Sequence, residues 1–153
     1  MATGTDAGLL ENPRPQSVYK HAILEQYVIR FATMTASTLN PKRSVIFDRF
    51  AGRGRFETGE AGSAEHMMLA SQKVKATTQI DLLLVEKDPK DYESLDTVAD
   101  EYRARGIHID SHNGACGDHI DEALQLAAAA SLLVFLDPCG AMLGGGAHLG
   151  VRA

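Results

Sequence analysis

Four short apolar runs, each closing on an acid, limit the possible fold of this chain more than any other feature. They are RSVIFD (43–48), QIDLLLVEKD (79–88), IHID (107–110) and SLLVFLDP (131–138). A strand with one wet face alternates apolar and polar residues. A run such as DLLLVE or SLLVFL, apolar without alternation, belongs to a strand covered on both sides, as in a parallel sheet between helices. Segments of helical period separate the runs, so the order is helix, then strand and helix in turn. That order predicts an open parallel sheet with helices on both faces. The expected fold class is α/β, a three-layer αβα, Rossmann-like sheet of about four strands.

The helices have readable starts and faces. Ser17 is an expected N-cap, with Ile23, Leu24, Tyr27, Val28 and Phe31 on one buried face. Ser63 is expected to cap a helix from about Ala64 to Ala76 that carries Met67, Met68 and Ala70 inward. Asp88-Pro89 joins an N-cap to proline at the first helical position. Tyr92, Leu95, Val98, Ala99 and Tyr102 form the stripe of that helix, and Gly106 closes it. A last helix begins at Asp118, with Ile120, Ala123, Leu124 and Ala127 inward. Residues 1–16 read as a flexible N-terminal tail, 17–140 as the α/β domain, and 141–153 as an irregular glycine-rich tail that offers no fifth strand. Four strands leave a sheet edge and part of both faces uncovered, so the sequence reads as the N-terminal part of a larger, truncated domain.

Composition narrows the partners. The chain has 153 residues with a net charge of −5, and such a field does not favour nucleic acid over the whole molecule. Cys116 and Cys139 form no CxxC pair and suit free thiols in a reducing cytoplasm. No apolar run approaches a membrane span, and no secretory signal opens the chain.

In open α/β sheets ligands lie beyond the carboxyl ends of the strands, and here those ends carry Asp48, Glu86, Asp110 to Asn113, and Asp137-Pro138. After the first comes DRFAGRGRFETGEAGS (48–63), with four glycines. Gly52 and Gly54 allow the backbone to pass close under a ligand. The third glycine of a dinucleotide fingerprint is missing, as is an acid about 20 residues further on. Glu86, at the end of the next strand, is instead placed to accept both hydrogen bonds of a ribose diol. A nucleoside-bearing ligand remains as the expectation.

The segment DRFAGRGRFETGEAGS resembles the first motif of the three-Cys-motif partner (TcmP) proteins, in which an Asp-x-Phe-Ala-Gly-x-Gly loop precedes Gly-Glu-x-Gly-Ser. KHAILEQYV (20–28) is similar to that family's leading helix, and LLVFLDPCG to its Asp-Pro-Phe-Gly strand end. The three blocks fall in order across residues 18–140. The family resembles class I S-adenosylmethionine-dependent methyltransferases. The likeness implies S-adenosyl-L-methionine as cofactor, with Asp48, Phe50, Ala51, Gly52 and Gly54 under its methionine and ribose, and Glu86 on the ribose hydroxyls. It further implies Asn113 or Asp118 at the adenine amino group, Asp137 and Pro138 on the acceptor side, and a protein partner bearing a three-Cys motif. Cys139 stands where the family carries Phe, so the aromatic platform that amino-methyltransferases stack on a flipped base is absent. A non-catalytic partner protein, or an inactive truncated remnant, is the alternative.

Other residues have plainer expectations. Lys20 and His21 either cover the cofactor pocket or pack on the leading helix. Arg53 and Arg55 either reach a phosphate or keep the loop soluble. His108, His112 and His119 sit in a strand, a loop and a helix, a spacing that does not by itself gather three imidazoles round one metal ion.

Overall fold

The computed structural model describes residues 15–136, so Asp137, Pro138, Cys139, the expected C-terminal tail and residues 1–14 lie outside the described residues. Pro15 and Gln16, expected in the N-terminal tail, already belong to the first helix, which places Ser17 inside that helix and not at its cap. The elements are α1 (Pro15–Thr35), β1 (Arg43–Asp48), α2 (Ser63–Val74), β2 (Gln79–Glu86), α3 (Pro89–Arg103) and β3 (His108–Asn113). A 3-10 turn (Cys116–His119), α4 (Ile120–Leu126) and β4 (Ser131–Phe135) follow. The four strands are parallel in the order β3-β2-β1-β4. Chain direction across the sheet therefore reverses after β3, and the switch point lies between β1 and β4.

The layers follow from this order. On one face Leu24, Val28 and Ala32 of α1, Met67 and Met68 of α2, and Leu95, Val98 and Ala99 of α3 pack on Ile46, Leu82, Leu84 and Ile109. On the other face Phe47, Leu83 and Val85 meet Ala123 of α4, with Leu126 and Leu132 beside them. Among the described residues three helices thus cover one side and one short helix the other. Each fully buried Leu, Met or Phe contributes about 1.5–3 kcal/mol by leaving water, so the first face dominates stability. The α/β reading and its four strands stand.

Local rules succeed where the chemistry is direct. The Asp88 carboxylate accepts from Asp91 N at 2.9 Å, with Pro89 at the first helical position. Met67, Met68 and Ala70 are buried as expected. At the sheet edge, Ser111 and Arg103 both donate to Asp96, at 2.6 and 2.9 Å, pinning β3 to α3.

Elsewhere the structure corrects the reading. Ile23 and Tyr27 are 68% and 54% exposed, and the buried row of α1 is Leu24, Val28 and Ala32. Both rows repeat every fourth residue, so periodicity cannot choose between them; packing against α2 does. The outer row, Tyr19, Ile23, Tyr27 and Met34, forms an exposed apolar stripe. Ser63 is the first residue of α2, not its cap; Gly62 holds that place with no side-chain bond. The expected helix from Asp118 opens as the 3-10 turn, and in α4 Ile120 and Leu124 are exposed while Ala123 is buried. Strands β3 and β4 are the outer strands of the described sheet and both are only partly covered; SLLVFL, expected to be covered on both sides, leaves Val134 exposed.

Candidate functional site

The register sets the strand ends side by side: Glu86 pairs with Asn113, and Asp48 with Leu84 on one side and Phe135 on the other. The chain leaves β1 through Asp48, which is fully buried and whose Oδ1 accepts from Phe50 N at 3.0 Å. A side chain bonded to the backbone two residues on is an Asx turn, and it starts the loop. Ala51 is buried and its N–H donates to Val85 O at 3.1 Å, so it seats the loop on β2. Phe50 is half exposed, with the Arg49 guanidinium 6.0 Å from its ring centroid.

Glu86 then meets the loop. Its Oε2 accepts from Gly52 N at 2.8 Å and its Oε1 from Asp88 N at 2.9 Å. Gly52 has φ +67, and a Cβ built there would find nothing within 4 Å. The glycine is needed for its left-handed backbone, and the space beside it is open. Gly54 (φ +80) is different, since its Cβ would touch Leu95 and Val98 at 3.4 Å. Its bare side faces α3. Asn113 Nδ2 donates to Glu86 O at 2.9 Å and to Lys87 O at 3.1 Å, which ties the end of β3 to the turn after β2. Asp118 stands exposed in the 3-10 turn.

The rest of the loop closes on itself. Phe56 N donates to Glu60 O at 2.8 Å, and Gly62 N to Gly54 O at 2.8 Å. A Cβ at position 62 would sit 2.8 Å from that same oxygen, so only glycine fits the closure. Arg55 staples the hairpin down. It donates to Glu65 at 2.6 and 3.0 Å and to Glu101 at 2.9 and 3.1 Å. Arg53 lies 3.3 Å from Glu57 and 3.4 Å from Asp91. Arg55 thus anchors the loop, while Arg53 stands between two carboxylates.

Glu65 is buried and also accepts from the Tyr102 hydroxyl at 2.9 Å. Sequence reading missed this triad. Glu65 lies ten residues from Arg55 across a loop, where no period links them, and Tyr102 was read as core stripe alone. Burial first, and then the bond to Glu65, push the Tyr102 hydroxyl up to about 12. The unfolded chain ionises first, so it binds fewer protons between about pH 10 and 12, and stability falls across that window. The wild type is expected to exceed Tyr102→Phe by about 1–2 kcal/mol near neutrality. That advantage should vanish as pH rises from about 10 to 12, as read by urea denaturation at stepped pH. A pH-independent gap would refute the assignment.

The leading helix approaches the loop through His21, whose ring lies 6.3 Å from Phe56 and 5.0 Å from His66. Of the three histidines weighed as metal ligands, His112 and His119 lie together beside Glu122, while His108 faces Asp81 at 3.8 Å. Among the described residues no helix is long and apolar enough to cross a membrane.

Fold and site together define the class: a Rossmann-like α/β domain with an acid at the end of β2 set against a glycine loop after β1. No protein-family model and no curated protein matches the chain.

Proposed function

We propose that this chain carries the cofactor-binding part of an S-adenosylmethionine-dependent, methyltransferase-like domain of the three-Cys-motif partner kind, working in the cytoplasm. One observation carries the reading: the Glu86 carboxylate, at the carboxyl end of β2, is turned onto the Gly52 amide beside open space. An ionised carboxylate accepts about four hydrogen bonds. The amides of Gly52 and Asp88 take two, which leaves positions for the two hydroxyls of a ribose.

The residues present fit that cofactor. Glu86 would hold the sugar, the backbone at Gly52 would lie beneath it, and Asn113 Oδ1 or Asp118 would accept from the adenine amino group. Asp48, being buried, would act on the ammonium end through the turn it forms or through water. When bound, S-adenosylmethionine supplies an activated methyl group on its sulfonium. The chain's own contribution is to bind and orient, which accounts for most of the acceleration in such positioning. Asp137 and Pro138 are the proposed acceptor-side residues.

Gly52→Ala separates a ligand role from a folding role. In the free protein the new methyl meets nothing, so the left-handed backbone alone is strained, at about 1–2 kcal/mol. A cofactor lying in that open space would meet the new methyl. Calorimetry with S-adenosylhomocysteine is expected to show binding to the wild type and at least about tenfold weaker binding to the variant. No heat with either S-adenosylmethionine or its demethylated product would end the proposal.

A second reading, a non-catalytic partner protein, draws on the exposed stripe of Tyr19, Ile23, Tyr27 and Met34 on α1. Contiguous apolar surface of this kind marks protein contacts. Cofactor binding without methyl transfer, joined to capture of a three-Cys-motif protein that is lost in Ile23→Glu, would favour it.

A further inference from the structure

We propose that His112, His119 and Glu122 form a binding site for a divalent transition-metal cation, zinc by ligand type, at the carboxyl end of β3. The three residues come from three successive elements: the edge strand, the 3-10 turn and the first turn of α4. His112 Nε2 lies 3.0 Å from Glu122 Oε1, and His119 Nδ1 lies 3.1 Å from Oε2. One ligand atom from each falls within 4.8 Å of the other two. Ligands of a tetrahedral zinc, each about 2.0–2.2 Å from the ion, are about 3.3–3.5 Å apart. The set is therefore already near the size it needs.

A nitrogen of each imidazole meets the same carboxylate, and the rings stack with centroids 4.3 Å apart at 14°, so one ring turns about its side-chain bonds to bring both in-plane lone pairs onto a single ion. Without an ion, protons on those nitrogens bridge to Glu122. A cation takes their place when each neutral ring carries its proton on the other nitrogen, so no group need leave the site. Two imidazole nitrogens with one carboxylate suit zinc, and also nickel or copper, whereas calcium and magnesium demand more oxygen ligands. All three residues are half-buried, so an ion can enter from water. Three protein ligands leave a fourth position for a solvent molecule.

The cation would cross-link the edge strand to α4. It would do so one residue before Asn113, whose amide holds the turn after Glu86. The site is independent of the cofactor reading above.

The test titrates the full chain, freed of metal by chelation, with zinc chloride by calorimetry against a competing chelator. One zinc per chain is expected, with weakening of at least tenfold in His112→Ala, His119→Ala and Glu122→Gln. His66→Ala, Cys116→Ser and Cys139→Ser should leave the affinity unchanged. The last of the three ligand variants keeps the shape of its side chain, so it reports even where a histidine variant misfolds, as judged by circular dichroism. Cobalt(II) in place of zinc should give visible bands of a tetrahedral nitrogen–oxygen site. A thiolate charge-transfer band, unchanged affinity in Glu122→Gln, or no zinc binding by the wild type would overturn the assignment.

Discussion

Glu86→Gln is expected to lower the affinity for S-adenosylhomocysteine by about 100-fold. Hydrogen bonds to an ionised carboxylate are worth about 1.5–3 kcal/mol each, and a ribose diol would form two of them. The amide that replaces the carboxylate keeps one acceptor oxygen and brings an N–H group toward Gly52 or Asp88, whose own N–H groups now face Glu86 at 2.8 and 2.9 Å. Some stability is therefore lost as well, about 1–2 kcal/mol, and circular dichroism is needed to show that the variant stays folded. Isothermal titration decides the outcome. An affinity within twofold of the wild type would mean that Glu86 serves the loop and no ligand.

Arg55→Ala carries the second large effect, a loss of about 3 kcal/mol in the free energy of unfolding. The guanidinium reaches Glu65, which is buried, and Glu101, which is exposed. The exposed pair contributes little. The cost comes from leaving the Glu65 carboxylate buried with the Tyr102 hydroxyl as its remaining side-chain partner. Lysine at position 55 should recover only part of the loss, because an ammonium cannot match a planar fork to two carboxylates at once. Chemical denaturation at neutral pH gives the number, and a change below about 0.5 kcal/mol would show that the staple is ornamental. Replacing Arg55 and Glu65 together by apolar residues should cost less than Arg55→Ala alone.

Much of the fold was legible because its causes are local. Continuous apolar runs such as LLLV predict a strand covered on both sides, and β2 is buried from Leu82 to Val85. Asp88 followed by Pro89 marks a helix start through chemistry that needs no neighbours, and the cap bond is there. That Glu86 lies near the glycine loop was also readable, since an acid at the end of β2 falls beside the turn after β1 in any parallel sheet of this order; that its carboxylate accepts from Gly52 N was not.

What stayed hidden depends on contacts far apart in sequence. The inner and outer rows of α1 share one period, and contact with α2 selects Leu24, Val28 and Ala32 over Ile23 and Tyr27. Glycine supply in the loop looked like provision for a ligand alone. Gly54 packs on α3 and Gly62 closes a hairpin, so half of the loop's glycines answer to the protein's own backbone. Glu65 and Tyr102 acquire their partners from other elements, with no spacing that announces the pairing; Glu122 meets His112 in the same way, and only its pairing with His119, three residues back, follows a helical spacing.

The self-closed hairpin bears on how a small molecule would be received. Its backbone bond from Gly62 to Gly54 and its arginine staple are made when the domain folds. The entropy of ordering those residues is already spent before any encounter. A guest lying along it would meet a preorganised wall and give up little binding energy to immobilise it.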